Sequence, residues 1–518
     1  MLVKISLLVL FFAVMVAIGL YFRRHNTTVD SFVLGNRSVG PWLTAFAYGT
    51  SYFSAVVFVG YAGQFGWRYG ISAVWIGLGN AFIGSLLAWV TLGRRTRIMT
   101  RHLASSTMPE FFGTRFQDRG LKIGASIITF VFLVPYTASL FNGLSRLFAM
   151  AFGVDFTICI AGMAVLTGIY VITGGYFATA VNDFIQGIIM LGGIIAIIAA
   201  VLKVNGGFTS SLDALARVSD PAVSATPGIF TSFFGPDPLN LLGVVLLTSI
   251  GTWGLPQMVQ KFYAIKSEKS IAQGTVISTL FAIVVSGGCY FLGSFGRLFS
   301  DRVNVALDGF DAIVPAMLSG FSSLLIGVVM MLVLSASMST LSALVMTSAT
   351  TFTLDFLRGG LIRRMSDRQQ LYVIRLLIAV FILVSASIAV VQYKGGVSFI
   401  AQLMGISWGA LAGAFLAPFL YGLYWKRATR AAVWCSFLFS TLLMTSNIFF
   451  RGSFPALLQS PINAGAFAML AGLVIVPLVS LASQAPPSGK VAEIFSCYDQ
   501  PVTVRASESL GTGKGVVD

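Results

Sequence analysis

Long apolar segments separated by short polar ones dominate the pattern along this chain. A run of about 20 predominantly apolar residues is long enough to cross the hydrocarbon core of a bilayer as a helix. Thirteen such runs, called spans 1 to 13, occupy residues 3–22, 41–63, 71–93, 122–151, 156–173, 181–203, 237–262, 272–297, 321–352, 370–392, 397–424, 431–450 and 461–483. The pattern therefore predicts an all-α polytopic membrane protein with thirteen transmembrane helices.

Two of the spans are interrupted near their middle by small and polar residues. Span 2 has a glycine and three hydroxyl side chains within Gly49–Ser54, and span 7 has two glycines and a proline within Gly251–Pro256. A break in a membrane helix frees backbone carbonyls, which are tolerated only where they line a cavity or bind an ion. The alternative for span 2 is a continuous helix that happens to contain serine and threonine.

The spacing of the interrupted spans indicates an internal repeat. They lie five spans apart and therefore cross the membrane in opposite directions, as in transporters built from inverted halves. Spans 2–6 and 7–11 would form the halves. The predicted units are 1–40 for span 1 and its link, 41–203 for the first five-helix repeat, 204–236 for an outer loop, 237–424 for the second repeat, 425–483 for two further spans and 484–518 for a tail.

Composition and charge agree with this picture. Of 518 residues, 56% are hydrophobic and 10% are charged, which excludes a soluble globular protein. The net charge of +15 could indicate a nucleic-acid partner, but most of the 33 basic residues fall in cytoplasmic segments if the N-terminus is outside. We therefore predict a cell (inner) membrane protein with a cytoplasmic C-terminus, whose basic excess faces anionic lipid and no nucleic acid.

Span 9 carries unusual chemistry in the stretch Val333–Ala343, which has five hydroxyl side chains among apolar neighbours. On a helix, Ala336, Ser339 and Thr340 share one stripe, and Ser342 lies beside it. Hydroxyl and carbonyl oxygens are hard, uncharged ligands that suit a small hard cation. The alternative is close helix packing, because small residues and self-bonded hydroxyls serve that purpose as well.

Few other polar groups lie at membrane depth. A carboxylate inside a span is a functional hypothesis by default, so Asp183 in span 6 is a candidate for ion or proton binding; the alternative is a helix cap at the interface. Asn80 in span 3 needs a partner, either a neighbouring helix or a solute. The four cysteines show no paired spacing, and no nucleophile–base pair or metal cluster is evident, so we predict no disulfide and no enzyme.

Several of these motifs occur in a familiar order. Gly49–Ser54, the Gly174-Gly175 turn, Asn182–Gly187, Gly254–Tyr263 and Ser339-Thr340 together resemble the sodium/solute symporter family, which includes sodium/proline and sodium/pantothenate symporters. The resemblance covers residues 3 to 450. It implies a LeuT-like 5+5 inverted-repeat fold with broken helices in spans 2 and 7.

The resemblance also implies a site for sodium, the coupling ion. Its ligands would be the carbonyls of Thr50, Phe53 and Ala336 and the hydroxyls of Ser339 and Thr340. Some members of the family bind a second sodium, and Asp183 and Ser342 match two positions of that site. Ala343 falls where another hydroxyl can stand, which argues against a second ion here; the possible occupants of this position are a second sodium or a proton.

We therefore predict sodium-coupled symport of a small organic solute into the cell by alternating access. The solute could be an amino acid such as proline, a monocarboxylate or pantothenate. A proton-coupled symporter of the same fold and a non-transporting solute sensor remain alternatives. A monomer suffices for transport, and the sequence leaves the oligomeric state open. The predicted solute pocket is lined by Ser54, Asn80, Tyr136, Trp253 and Gln257.

Overall fold

The computed structural model of the chain describes residues 2–22, 28–224, 226–362, 365–394 and 400–499. These residues are helical, apart from loops and two isolated β-bridges. The helices are α1 Leu2–Phe22, α2 Val29–Leu34, α3 Pro41–Tyr52, α4 Ala62–Tyr69, α5 Val74–Gly79, α6 Arg94–His102, α7 Met108–Arg115, α8 Arg119–Phe152, α9 Phe156–Val204, α10 Phe208–Ala216, α11 Pro238–Ile250, α12 Pro256–Ala264, α13 Glu268–Ala282, α14 Gly288–Ser294, α15 Val305–Asp308, α16 Ile313–Leu318, α17 Ser323–Thr351, α18 Asp367–Lys394, α19 Ile400–Tyr424, α20 Arg430–Phe449, α21 Pro461–Ala482 and α22 Ser488–Phe495.

Wider π-helical turns continue several of these helices. They span Val56–Tyr61, Asn80–Leu87, Trp89–Gly93, Ile283–Gly287 and Phe352–Leu361. Such turns are uncommon and are concentrated at functional sites in other proteins.

Within the described residues, ten helices are long and apolar enough to cross a membrane, and the bent pair Pro238–Gly254 with Pro256–Ala264 makes eleven. The run Val56–His102 counts once although Gly70 interrupts it with φ +61°, and Phe156–Ile169 falls short of the length required. The number of crossings thus depends on how interrupted helices are counted, and the count of thirteen stays a prediction.

Helix α3 ends in the middle of predicted span 2. Phe53 has extended backbone angles, φ −105° and ψ 95°, and the helix resumes from Ala55. Ser54 stabilises the restart, because its Oγ accepts a hydrogen bond of 3.2 Å from the Val56 N–H. The helical hydrogen bonding is interrupted between these two helices.

A second interruption separates α11 from α12. The turn Gly251–Gly254 leads to Leu255 in an extended conformation, and the two helix axes differ by 46°. Pro256 occupies the first turn of α12, where its missing N–H costs nothing. A Cβ on Gly254 would lie 2.7 Å from the Leu416 backbone nitrogen, so glycine permits this close approach to α19.

Predicted spans 5 and 6 form one helix, α9, that changes direction at Gly175. This residue has φ +64° and ψ −178°, a conformation that residues with a Cβ rarely adopt. The turn predicted at Gly174-Gly175 is therefore a sharp redirection between two helical halves.

The helix ends define two faces of the molecule. One face, called the loop face, contains residues 205–224, 226–237 and 295–322. There Phe230, Phe295 and Leu215 pack together, and the Arg297 guanidinium lies 3.0 Å from the Asp220 carboxylate. Two short helices, α15 and α16, lie in the same face. The opposite face, called the link face, is formed by residues 35–40, 103–118 and 262–268. There Thr107 caps α7, because its side chain accepts a hydrogen bond from the Glu110 N–H.

Residues 484–499, the first part of the tail, pack on the link face. The Arg115 guanidinium lies 4.9 Å from the centre of the Phe495 ring, and the Tyr498 hydroxyl donates to the Arg95 carbonyl at 3.1 Å. Aromatic side chains stacked on arginines give this segment contacts that its Pro/Ser/Gly-rich composition did not indicate. Residues 500–518 lie outside the described part.

Candidate ion and solute sites

The middle of α17 lies against the broken end of α3. The Ser339 hydroxyl donates to the Thr50 carbonyl at 2.9 Å, and the Thr340 hydroxyl lies 3.2 Å from the same oxygen. All three residues are fully buried. Because α3 stops at Tyr52, the Thr50 carbonyl is free of a helical partner and available to α17.

Two further carbonyls converge on the same hydroxyls. Thr340 Oγ1 lies 3.0 Å from the Ala336 carbonyl and 3.3 Å from the Ser51 carbonyl, and Ser339 Oγ lies 3.2 Å from the Ala336 carbonyl. One hydroxyl hydrogen cannot serve three acceptors at once. The cluster is therefore richer in oxygen lone pairs than in donors, which is the arrangement that a cation can satisfy.

This oxygen cluster brings together four of the five predicted ligands, Thr50, Ala336, Ser339 and Thr340, and leaves out the fifth; that these groups bind sodium stays a prediction. Within the described residues, the α17 hydroxyls contact the carbonyls of Thr50, Ser51 and Ala336 and not that of Phe53. Phe53 is buried at the break, and its ring stacks on Tyr52 at 4.3 Å. The Ser51 carbonyl was missed because sequence spacing does not reveal which carbonyls a break leaves free.

The cluster is built from neutral oxygens. Among the described residues, no group of three or more His, Cys, Asp or Glu side chains could hold a metal ion. Carbonyl and hydroxyl oxygens suit weakly charged hard ions and bind soft transition metals poorly. The chemistry of this donor set therefore fits an alkali cation.

Asp183 lies on α9, about two turns after the break at Gly175. It is 1% exposed, and in the described structure neither carboxylate oxygen accepts a hydrogen bond. The helix-cap interpretation is therefore wrong, because a cap would accept backbone N–H groups. Ser342 donates instead to the Ser339 carbonyl on its own helix, at 2.8 Å.

The partner of Asp183 is Lys261 on α12. The Lys261 Nζ lies 4.0 Å from Asp183 Oδ2, and Lys261 is 4% exposed. The charge pattern of the sequence places Lys261 among the cytoplasmic basic residues; in the structure it is buried and directed towards α9. Lys261 stands at the apolar end of span 7, a position that could have signalled burial.

Three buried polar side chains on the same stretch of α9 as Asp183 have unused oxygens. The centre of the Tyr176 ring lies 5.3 Å from the Lys261 Nζ, whereas the amide nitrogens of Asn182 and Gln186 contact Met15 on α1. Among the described residues, Asn182 Oδ1, Gln186 Oε1 and the Tyr176 hydroxyl have no hydrogen-bond partner. Their burial makes this unusual, because buried polar atoms are nearly always paired. The Asp183 site is thus a second oxygen-rich region, distinct from the first in carrying formal charge.

An aromatic cluster adjoins the break in α3. Tyr136 on α8 meets Trp408 on α19 edge to face at 5.9 Å, and Tyr52 lies 6.1 Å from Trp408 between ring centres. The Tyr136 hydroxyl and the Trp408 indole N–H have no hydrogen-bond partner in the described structure. Sequence reasoning missed Trp408, although a tryptophan between serine and glycine in mid-span is a usable signal.

The other predicted solute residues are placed differently. Asn80 donates to Ser286 at 3.1 Å and accepts from Ser249 at 3.2 Å, so its partners are neighbouring helices. Trp253 donates to the Ile83 carbonyl at 3.1 Å. Gln257 is buried with an unpartnered Oε1. Ser54 serves as the cap described above, beside Phe53 of the aromatic cluster.

Comparison with known proteins identifies a family and several relatives. A model of the sodium:solute symporter family matches residues 32–438. The osmoregulated proline transporter OpuE of Bacillus subtilis (strain 168) is 28% identical over 422 residues, which cover 81% of this chain and 83% of that protein. A sodium/proline symporter of Staphylococcus aureus (strain JH9) is 28% identical over 436 residues, which cover 82% of each.

A solved structure has a similar fold. It is the substrate-bound, outward-open state of a Na⁺-coupled sialic acid symporter, with a TM-score of 0.74 and 16% identity. The superposition covers 93% of this chain and 98% of that one. At this identity the likeness concerns the fold, which is that of the LeuT-like transporters.

Proposed function

Because the chain belongs to the sodium:solute symporter family, we propose that it takes up a small organic solute with sodium bound at the α3–α17 oxygen cluster. The observation that carries this proposal is the contact of Ser339 and Thr340 with the Thr50 carbonyl at a helix break. A membrane helix that ends beside two hydroxyls of another helix presents the neutral oxygen ligands that a cation site requires.

The proposed architecture has thirteen crossings, ten of them arranged as two inverted halves of five. The break at Phe53 and the bend at Leu255 would occupy corresponding positions in the halves. The link face, which is rich in arginine, would lie in the cytoplasm together with the tail. The N-terminus would then be outside.

Alternating access then follows from where the sodium ligands lie. A sodium ion arriving from outside would replace the hydroxyl–carbonyl hydrogen bonds and hold α17 and α3 at a different separation. Coupling requires that the two states bind sodium with different affinity. One charge moving down a membrane potential of ~100 mV gains about 2.3 kcal/mol, enough to concentrate a neutral solute about fifty-fold.

The solute we favour is proline or a similar small amino acid. Tyr52, Phe53, Tyr136 and Trp408 form a buried aromatic wall with one free hydroxyl and one free N–H, which suits a compact and partly apolar molecule. Two relatives are named as proline transporters. Tyr136, Ser54 and Gln257 remain our candidate solute contacts, whereas Asn80 and Trp253 are engaged within the protein.

The test is uptake of labelled proline by the purified protein in proteoliposomes. We expect accumulation that requires an inward sodium gradient at constant pH, with monocarboxylates and pantothenate as competing compounds to rank the solutes. Accumulation that follows a proton gradient and ignores sodium would replace sodium coupling by proton coupling. Binding without accumulation would show a sensor and overturn the proposal.

A further inference from the structure

The Asp183–Lys261 pair bears on how many ions accompany the solute. We infer that Lys261 is a built-in cation that neutralises Asp183, so that the carboxylate takes no sodium and each cycle carries a single sodium ion. This inference rests on the proposed sodium coupling at the α3–α17 oxygen cluster. It concerns the number of ions and leaves the identity of the solute open.

The geometry isolates the two charges from others. Among the described residues, Lys261 is the one basic group within 4.0 Å of Asp183, and Asp183 is the one acidic group within 4.0 Å of Lys261. Both side chains are at least 95% buried, so water contributes little to their stabilisation. A buried carboxylate needs a compensating cation, and here the polypeptide supplies it.

A second sodium at Asp183 would therefore be disfavoured by charge. The carboxylate and the ammonium together carry no net charge, and a sodium ion would add one positive charge to a desolvated region. It would also lie close to the ammonium, and repulsion between like charges is strong where water is excluded. A carboxylate without the lysine would attract the same ion.

The oxygen atoms needed for a cation are nevertheless present. At 4.0 Å the ammonium is too distant for a hydrogen bond, so it balances the charge without using the lone pairs of Asp183. Unpartnered oxygens of Asn182, Gln186 and Tyr176 lie on the same stretch of α9. Removing the charge of Lys261 should consequently convert this region from a neutral pair into a sodium site.

The position of the pair gives Lys261 a mechanical role as well. It is on α12, after the bend at Leu255, while Asp183 is on α9 of the first half. A tethered cation cannot leave with the solute, so the link between these helices does not depend on sodium concentration. Lys261 is thus a positioning residue that fixes ion stoichiometry through Asp183.

The experiment measures the charge carried per solute from reversal potentials in proteoliposomes, and the sodium dependence of the melting temperature without solute. For a zwitterionic solute we expect a ratio of one elementary charge per solute molecule in the wild type and in Lys261→Arg. Lys261→Gln should give a ratio of two and a steeper sodium dependence of the melting temperature. The double variant Asp183→Asn/Lys261→Gln should return to one, and Lys269→Gln, at an exposed lysine, should match the wild type.

A ratio of two in the wild type would overturn the inference, as would an unchanged ratio and an unchanged thermal response in a folded Lys261→Gln. If that variant does not reach the membrane, the wild-type ratio decides by itself, since one supports the inference and two contradicts it. Wild-type uptake without any sodium dependence would instead refute the proposed function, so the two failures are distinguishable.

Discussion

Each hydroxyl of the Ser339–Thr340 pair has acceptors both on its own helix and on the broken end of α3. Ser339 is 2.9 Å from the Thr50 carbonyl and 3.2 Å from the Ala336 carbonyl, so the contact between helices is the shorter one. By contrast, Ser337 on the same helix donates only to the Val333 carbonyl, at 2.7 Å. Ser337 and Ser339, two residues apart on one helix, thus have different hydrogen-bond partners, because of the two only Ser339 faces the broken end of α3.

We expect Ser339→Ala and Thr340→Ala each to lower the apparent sodium affinity of transport. Loss of one neutral oxygen ligand should cost about 1–2 kcal/mol, which corresponds to about five- to thirty-fold in sodium concentration. The half-saturating sodium concentration of uptake, normalised to protein in the membrane, measures the effect. Ser337→Ala is the matched control and should change it little, and an unchanged sodium dependence in the Ser339/Thr340 double variant would exclude the site.

The stability of the protein should depend on pH through the buried carboxyl group of Asp311. Asp311 lies in the turn Phe310–Ala312, outside the membrane-spanning helices, and is 1% exposed. Burial raises the pKa of this carboxyl from 3.8 to about 6, although the charge of Arg146 and the Ile400 N–H oppose the rise. The Ile400 N–H donates to Asp311 Oδ2 at 3.3 Å, which joins the loop to the start of α19.

The folded protein binds the Asp311 proton more tightly than the unfolded chain does. The contribution of this proton to the free energy of unfolding is therefore complete below about pH 4 and is lost as the pH rises through about 6. Asp311→Asn keeps an acceptor for Ile400 and removes the titration. We expect it to raise the melting temperature at pH 7.5, by a free energy of at most about 3 kcal/mol, and to flatten its profile between pH 4 and 7. Asp301→Asn, at an exposed side chain, is the control; identical profiles for Asp311→Asn and wild type would contradict the assignment.

Helix crossings depend on glycines that sequence periodicity does not distinguish. At the α4–α14 crossing, a Cβ on Gly293 would lie 2.0 Å from the Ala62 carbonyl oxygen. On α9, a Cβ on Gly192 would meet no atom within 4 Å. Both glycines lie in apolar helices, yet only the first is required by packing.

Gly293→Ala should therefore destabilise the protein by about 3 kcal/mol or more, because the backbones must move apart. Gly192→Ala should be neutral or stabilise by up to about 1 kcal/mol, since alanine favours the helix. Thermal unfolding in detergent, with size-exclusion profiles, compares the two. Similar melting temperatures for both variants would show that the crossing is not as close as described.

At the scale of the whole molecule, arginines join the segments of the link face: Arg97 donates to the Ile265 carbonyl at 2.6 Å, and Arg37 bridges two segments. Arg37 has φ +53°, and its guanidinium donates to the Ser105 carbonyl at 2.7 Å and to the Tyr263 carbonyl at 3.3 Å. Beside it, the Val39 carbonyl accepts the Lys266 N–H at 2.9 Å. These contacts tie the segment before α3 to the end of α12, so the two interrupted helices are joined at one face.

Opening of the link face must therefore break the contacts of Arg37. Each of the two charge-assisted hydrogen bonds of Arg37 should contribute about 1.5 kcal/mol or more. In Arg37→Ala, the backbone amides of residues 262–266 should therefore exchange hydrogen at least about tenfold faster than in the wild type. The exchange rate in Arg37→Lys should lie between those of the wild type and Arg37→Ala, because lysine lacks the planar guanidinium that bonds both carbonyls. Lys269→Ala on the same face is the control, and equal exchange in Arg37→Ala and wild type would exclude this role.

Much of the architecture was determined by the sequence itself. The length and spacing of apolar runs determine a helical membrane protein, since a bilayer leaves backbone groups no other partner than their own helix. Local chemistry also placed the α7 cap at Thr107, the turn at Gly175 and the hydroxyl stripe with Ser339 and Thr340, because these features depend on neighbours within a few residues.

Contacts between distant segments were decided only by the tertiary structure. No local pattern shows that Lys261 faces Asp183, that Ser51 supplies a carbonyl, or that Trp408 closes over Tyr136, because each contact joins residues far apart in the chain. The same holds for Asn80, whose choice between solute and protein partners depended on Ser249 and Ser286. Sequence determines which groups are polar at membrane depth, and only packing decides which of them meet and which charges cancel.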